Sequence, residues 1–264
     1  VRLLQRTTRR LSLTEAGATL FGRAQRSLVE LDEATREVTH HQTEPRGTLR
    51  ITAPVAFTLL HLTPAIGEFV GRYPGVRPEL VLDDRQVDLV EEGFDVAIRI
   101  AELHDSSLVA TRLASCRHVV CASPRYLARR GVPQSPEDLI QHDCMVYTIG
   151  RNPGRWAFRR PGSREAMLVP VQGPVRSNST LVNKAAAVAG LGLVYLPTFY
   201  VGDELRTGAL QAVLQPFVPA THWIHAVYPQ RRGLPPKVRV FVDFLKSRFP
   251  EPPPWDRGLP LAPE

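Results

Sequence analysis

Residues 47–84 read GTLRITAPVAFTLLHLTPAIGEFVGRYPGVRPELVLDD. The segment 48–53 has the β-branched content of a strand, and apolar side chains at helical spacing follow it from Leu62 to Tyr73. Pro74-Gly75 ends that helix, and 79–84 predicts a second strand. A strand, a crossover helix and a strand in this order are typical of a parallel sheet with helices on its faces, so the stretch indicates an α/β fold.

The same pattern continues along the chain. A short helix over 87–93 and a strand over 95–100 extend the first group, and 108–123 predicts one long extended segment that crosses to a second lobe. The second lobe and the segments after it are predicted to contain helices at 124–131, 137–143, 179–190 and 237–249 and strands at 145–148, 156–160, 167–177, 191–197 and 223–229.

The amino terminus is basic and leads into a long helix. Arg2, Arg6, Arg9 and Arg10 occur with no acid between them, which predicts a basic hairpin. Thr14 is a good N-cap, Glu15 suits the first turn, and one apolar stripe follows from Leu20 to Val38. So narrow a stripe predicts a partner helix; the alternative is that the helix lies on its own domain.

Composition excludes several classes of protein. The chain has 264 residues, a net charge of +7 and a pI of about 9.8, which fits a polyanionic partner. Three cysteines without a CxxC pair make no disulfide framework. Without a long apolar run or a signal peptide, we expect no membrane contact and a cytoplasmic location. The proline-rich segment 250–264 predicts a disordered tail.

Motifs for catalysis or metal binding do not occur. The chain contains no GxSxG, HExxH or GxxxxGK[ST] sequence, so we expect no enzyme and no cofactor. His222 and His225 fall on opposite faces of a predicted strand, which argues against a shared metal. The spacing of His118 and Cys121 does not make a nucleophile–base pair.

Several stretches together resemble a known family. RLLQRTTRRLSLTEAG (2–17) is similar to the wing and linker-helix start of LysR-type transcriptional regulators. The 47–84 stretch with VDLVEEGFDVAIRI (87–100) resembles the first half of their effector-binding module. AAAVAGLGLVYLP (185–197) and HAVYPQRRGLPPKVRVFVDFL (225–245) resemble its later segments. No single piece is decisive, and the order and spacing carry the resemblance.

The resemblance implies a DNA-binding regulator in which a small-molecule effector, bound between two lobes, alters the oligomer's hold on promoter DNA. It also implies a winged helix-turn-helix, whose recognition helix we expect to lie upstream of Val1, and a two-lobed effector domain of the periplasmic-binding-protein (type II) kind. The expected division is a wing remnant at 1–13, a linker and dimerisation helix at 14–45, lobe I at 46–116 and 222–249, and lobe II at 117–221. The alternative is a solute-binding protein of the same fold.

Site residues are carried over from the matching segments. The wing residues expected to contact DNA are Arg6, Thr8, Arg9 and Arg10, unless they pair with acids of the linker helix. Wing contacts alone carry little sequence information, so we expect no specific operator binding by residues 1–264. The residues expected to contact effector are Ala53, Pro54, Val55, Phe57, Thr58, Arg99, Ile100, Asn178 and Ser179.

The chemistry of these residues favours a small organic anion, because Arg99 and two helix N-termini would face it. Each residue also has a structural alternative. Pro54 and Phe57 would shape the turn and the core, Asn178 or Ser179 would cap a helix, and Arg99 would pair with an acid (Asp83, Asp84 or Glu102). The expected partners are double-stranded promoter DNA, the effector, and a second copy bound through residues 14–40, with a tetramer favoured.

Overall fold

The computed structural model describes residues 3–6, 11–38, 44–85, 87–100, 108–149, 152–163, 165–219, 222–229 and 234–261. The strands are β1 (Leu4–Arg6), β2 (Leu11–Leu13), β3 (Gly47–Ala53), β4 (Val76–Leu82), β5 (Val96–Ile100), β6 (Leu108–Cys116), β7 (His118–Ala122), β8 (Val146–Tyr147), β9 (Arg155–Arg159), β10 (Ala166–Pro170), β11 (Arg176–Ser177), β12 (Val194–Pro197), β13 (Gln211–Val213) and β14 (His222–Pro229). The helices are α1 (Glu15–Val38), α2 (Val55–Phe57), α3 (Thr63–Arg72), α4 (Pro124–Arg130), α5 (Thr180–Val188), α6 (Thr198–Thr207) and α7 (Pro236–Arg248). A π-helical turn covers Thr58–Leu62, and 3-10 turns cover Pro136–Gln141, Gln215–Phe217 and Pro254–Asp256.

The chain divides into two compact units, residues 1–44 and 45–264. In the first unit β1 and β2 pair antiparallel and α1 follows. Thr14 caps α1 as predicted, because its Oγ1 accepts a hydrogen bond from the amide of Gly17 at 3.0 Å. Leu20, Phe21 and Leu28 of the apolar stripe are 51%, 56% and 66% exposed. Side chains of this kind gain stability when a second surface covers them.

A five-stranded sheet organises the larger unit. Its strand order is β4-β3-β5-β14-β6, with β3 parallel to β4 and β5, and with β14 antiparallel to β5 and β6. The helices α3 and α7 are joined by aromatic contacts, since the ring of Phe69 lies 5.1 Å from Phe241 and 5.5 Å from Phe244. These contacts bury one apolar stripe of each helix in the core.

Smaller sheets lie between residues 118 and 213. Strand β7 pairs antiparallel with β12 and β13, β9 pairs with β10, and β8 runs parallel to β11. The predicted extended segment 108–123 is the pair β6 and β7, separated only by Arg117. One core includes residues from both groups of sheets, such as Ile51 of β3 and Cys121 of β7, and a second core lies around Tyr126 and Phe158. The lobe boundaries given above remain predictions.

Residues 87–93 form turns and not the predicted helix. The carboxylate of Asp88 accepts hydrogen bonds from the amides of Val90 and Glu91, which fixes a tight turn. Leu89 and Phe94 then fold under this turn and pack against Ala97. The apolar pattern therefore reflects a small cluster on the sheet.

Residues 198–207 form α6, to which the sequence analysis assigned no structure. The aromatic and β-branched start of this segment hides its helical character. Its Phe199, Val201 and Leu205 are buried in the main core, and Gly208 ends the helix in the left-handed conformation at φ 75°. Tertiary packing decides the conformation here.

The prediction of a disordered tail is wrong for residues 250–261. Trp255 is only 4% exposed and belongs to the main core, and Leu259 and Leu261 pack against the same core. A single indole buries a large apolar area, which outweighs the low packing capacity of the surrounding prolines. Among the described residues, no helix has the length and apolar character needed to cross a membrane.

Candidate functional site

The carboxyl ends of β3, β4 and β5 meet at one edge of the five-stranded sheet. The strand registers place Pro54 and Asp83 one step beyond the last pair of β3 and β4, and they align Arg99 with Pro54 two steps beyond the last pair of β3 and β5. Ala53 is fully buried, whereas Pro54 is half-buried. In open α/β sheets ligands bind beside such strand ends, and most of the predicted effector residues lie here.

The amide and hydroxyl groups at the start of α2 already have partners inside the protein. The amide of Val55 donates to Oδ1 of Asp84 at 3.2 Å. The hydroxyl of Thr58 donates to the carbonyl of Pro54 at 2.8 Å, and Thr58 is 2% exposed. We expected both groups to be available to an effector anion. In this structure an anion would have to displace Asp84 to reach the Val55 amide.

Phe57 supports this region from the core. It is fully buried, and its ring lies 5.3 Å from Phe199 and 5.9 Å from Trp255, both in edge-to-face arrangements. Phe57 therefore fills the core, which is the structural role given above as the alternative to effector contact. The ring holds α2 on the core, and Ala53 holds the end of β3 in the same way.

Arg99 has free hydrogen-bonding capacity. It is half-buried, and among the described residues its buried Nη2 has no hydrogen-bond partner. Burial lowers the pKa of Arg99, while the nearby carboxylates of Asp83 and Glu92 raise it. Asp83 itself is held by Arg85, whose Nη2 lies 2.9 Å from Oδ2. Arg99 can therefore donate to a further acceptor. Ile100, the last residue of β5, is also half-buried.

The second-lobe residues lie where β11 leads into α5. Asn178 is exposed, and Ser179 occupies the N-cap position without making a side-chain capping bond. The amide of Ser179 instead donates to the hydroxyl of Ser177 at 3.0 Å. The ordinary capping role considered for Ser179 is thus not realised, which leaves its hydroxyl available to another group.

Two tyrosines that the sequence did not predict, Tyr147 and Tyr200, complete the polar group beside Asp84. Burial raises the pKa of Tyr147, and the nearby Asp84 carboxylate raises it further. Burial likewise raises the pKa of Tyr200 to about 12, and Asp84 contributes again, although a hydrogen bond with Thr180 opposes the shift. Asp84 therefore lies close to two tyrosines of the predicted second lobe. The sequence signal for Tyr147 was its position near the end of a predicted strand.

The arrangement is suited to binding a polar small molecule. It combines two carboxylates, a guanidinium and phenol and alcohol hydroxyls, which together offer donors and acceptors to a polar small molecule. Within the described part of the chain, histidine, cysteine and acidic side chains form no group of three that could hold a metal ion. The three cysteines are buried as free thiols.

The predicted DNA-contacting residues are only partly within the described ranges. The backbone of Arg6 lies in β1, which pairs with β2 in the register Arg6 to Leu11. Thr8, Arg9 and Arg10 lie outside the described residues. The assignment of this hairpin as a wing remains a prediction.

Comparisons with known proteins identify similar chains over most of the length. Residues 42–250 match the protein family described as the LysR substrate binding domain. The HTH-type transcriptional regulator PtxR of Pseudomonas aeruginosa is 37% identical over 249 residues, which cover 94% of this chain and 79% of PtxR.

Two solved structures are similar in fold. The LysR-type transcriptional regulator CrgA from Neisseria meningitidis matches with a TM-score of 0.69 and 35% identity, covering 94% of this chain and 83% of CrgA. The full-length Vibrio cholerae virulence activator AphB matches with a TM-score of 0.72 and 28% identity, covering 94% of this chain and 84% of AphB.

Proposed function

The chain belongs to the LysR family of transcriptional regulators, and from this premise we propose that an effector bound between the lobes of residues 45–264 changes the oligomer's hold on promoter DNA. The observation that carries the proposal is the polar group at the ends of β3, β4 and β5, which includes Arg99 and Asp84 and lies beside Tyr147 and Tyr200 of the predicted second lobe. A guest at this position would contact both lobes at once.

The alternative of a solute-binding protein without a DNA function has no support. The matched family carries an effector-binding module, and the similar chains are named as transcriptional regulators. As a regulator, the protein would act on DNA in the cytoplasm and would need no catalytic step.

The effector proposed for this site is a small polar molecule, with a preference for an organic anion. Arg99 is the group that supports this preference, because its Nη2 is buried and has no partner among the described residues. The Val55 amide contributes less than the sequence suggested, since Asp84 already occupies it. A guest that donates a hydrogen bond to Asp84 while accepting one from Arg99 satisfies both groups.

The proposed route from effector to DNA runs through oligomerisation. Residues 14–40 would pair with a second copy through the exposed stripe of α1, and effector domains would pair further to give a tetramer. DNA would be held at Arg6, Thr8, Arg9 and Arg10. An effector shifts such an assembly only by binding one arrangement of the lobes more tightly than the other.

Calorimetric titration tests the site. We expect residues 1–264 to bind at least one member of a panel of mono- and dicarboxylates that includes benzoate and succinate. Arg99→Ala should weaken binding about tenfold or more, because a charge-assisted hydrogen bond is lost. Asn178→Ala should weaken it less.

The matched control is Arg160→Ala, since Arg160 is an exposed arginine of the predicted second lobe and forms an ion pair with Glu137. It should leave the affinity unchanged. If the tightest ligand is indifferent to both Arg99→Ala and Asn178→Ala, the effector site lies elsewhere.

A further inference from the structure

Residues 250–261 pack against the helix that begins at the effector site. We propose that this C-terminal strap positions that helix, and that Trp255 is the positioning residue. The inference rests on the proposed function, because α2 begins at the proposed effector site. The strap contacts the far end of α2 and the π-helical turn that follows it.

Trp255 lies at the centre of an aromatic cluster. Its ring is 4.7 Å from His61 and 5.9 Å from Phe57, both in the segment that follows β3. It also lies 6.0 Å from Phe199 of α6 and 5.6 Å from Phe249 at the end of α7. The side chain is 4% exposed. One residue of the strap therefore joins three separate elements.

The strap backbone is fixed by specific hydrogen bonds. Arg206 of α6 donates from Nη2 to the carbonyl of Trp255 at 2.8 Å and from Nε to the carbonyl of Arg257 at 3.2 Å. Its Nη1 lies 2.6 Å from the carboxylate of Asp203, which orients the guanidinium. Gly202 permits this approach, because a Cβ there would lie 3.0 Å from the Trp255 carbonyl.

A second anchor ties the strap to β6. The carboxylate of Glu251 accepts hydrogen bonds from the amide of Ser115 at 2.6 Å and from its hydroxyl at 2.8 Å. Ser115 is the penultimate residue of β6 and lies two residues before Arg117, the residue that separates β6 from β7, where the chain is predicted to pass between the lobes. The strap thus holds both α6 and the crossing strand.

The element under the strap has an irregular geometry. The π-helical turn Thr58–Leu62 widens the helix between α2 and α3. Such turns are rare in proteins, and those that occur are often found at functional sites. His61 reaches from this turn to α6, where its Nε2 lies 3.1 Å from the carbonyl of Phe199. Trp255 covers His61 and Phe57, so the strap stabilises the turn in this form.

The contacts form a continuous path to the effector site. Phe57 lies two residues from Val55, whose amide binds Asp84. A change at Trp255 should therefore alter the order of α2, and by thermodynamic reciprocity a change at Asp84 should alter the order of the strap. This reciprocity distinguishes positioning from simple filling of the core.

Hydrogen exchange of residues 1–264, measured by mass spectrometry without ligand or DNA, tests the proposal. Trp255→Ala should speed exchange of the amides of 55–62 about tenfold or more, by lowering the free energy of local opening. Trp255→Phe should restore most of the protection. Arg206→Ala, which keeps the indole, should also speed exchange at 55–62 and provides the test if Trp255→Ala does not fold.

The reciprocal variant is Asp84→Ala, which should speed exchange at the amides of Asp256 and Leu259 in the strap. Arg160→Ala is the control and should change neither segment. Unchanged exchange at 55–62 in the strap variants would overturn the proposal. Equally faster exchange at residues 155–170 in the strap variants would also overturn the proposal, because the strap would then stabilise the whole unit and not α2 and the π-helical turn in particular.

These outcomes are separate from the fate of the proposed function. Exchange rates need no effector, so a protein that binds no carboxylate can still show the coupling. Conversely, Arg99→Ala can weaken carboxylate binding as expected even if exchange at 55–62 does not depend on Trp255.

Discussion

Asp84 is a carboxylate placed where we expected an effector anion. It accepts a hydrogen bond from the first amide of α2 and lies close to Tyr147. The sequence could predict a polar strand end, because Asp83 and Asp84 directly follow the apolar residues of β4. It could not predict which side chain would turn back onto which amide, since that depends on the path of the loop after β4.

His118 gives a pH-dependent prediction at the residue scale. Burial lowers the pKa of His118 to about 3, and His222, with its ring 5.0 Å away, lowers it further. Below the unfolded pKa of about 6.5, the unfolded chain binds a proton that the native chain does not. The contribution of His118 to stability should therefore be fully present above about pH 7.5 and be lost progressively as the pH falls from about 6.5 to about 3.

Urea unfolding at several pH values measures this slope. His118 should contribute up to about 1.4 kcal/mol per pH unit, and burial lowers the pKa of His61 in the same direction. His118→Gln should reduce the slope of the unfolding free energy against pH by up to the amount that corresponds to one bound proton. An identical slope in the variant and the parent would show that His118 titrates normally in the folded protein.

A largely buried ion pair gives the next prediction. Lys237 Nζ lies 2.6 Å from Oδ2 of Asp95, and the two side chains are 15% and 13% exposed. The same oxygen accepts the amide of Arg50, so the pair ties the start of α7 to the sheet. Asp95→Ala leaves the lysine charge uncompensated and should reduce the free energy of unfolding by about 3 kcal/mol.

The comparison for this variant is Glu137→Ala, which breaks the exposed pair with Arg160. It should lower the free energy of unfolding by much less than Asp95→Ala does in the same urea titration, because solvent screens an exposed pair. Equal losses in the two variants would contradict the account of the Asp95–Lys237 pair.

At the scale of elements, local rules predicted the regular segments well. The cap at Thr14, the strands β3, β4 and β5, and the end of α5 near Gly190 follow from capping, alternation and glycine at φ 79°. The errors fell where packing overrides local pattern. The strap and α6 are held largely by contacts with residues distant in sequence, which a local pattern does not contain.

The stripe of α1 predicts a variant that separates the oligomer. Leu28→Glu places a charge on a side chain that is 66% exposed in the single chain and that we expect to be buried between two copies. Sedimentation velocity should show the parent as a dimer or tetramer and the variant as a smaller species at the same concentration. Monomeric parent protein would contradict a dimer formed through residues 14–40.

Thr19→Glu is the matched control. It adds the same charge nine residues away on the opposite side of the helix, where 3.6 residues form each turn. It should leave the sedimentation coefficient of the parent unchanged.

On the scale of the whole molecule, the fold class and the family predicted from sequence are confirmed by the matches to LysR regulators. The effector and the strength of coupling could not be predicted, because they depend on small differences in free energy between two arrangements of the lobes. The helix-to-strand segment 190–197 illustrates the limit. Its pattern predicts a buried strand but not that this strand, β12, pairs antiparallel with β7 at the edge of the three-stranded sheet.

The most direct measurement of the central claim is the distance between the lobes with and without bound ligand. Spin labels can be attached at Val90→Cys and Ile140→Cys, which are 61% and 72% exposed in the parent, while the three natural cysteines are buried. With the tightest carboxylate of the panel at saturation, the account predicts a shift to shorter label-to-label distances that Arg99→Ala abolishes at the same concentration. Superimposable distance distributions in the free and saturated protein would contradict it.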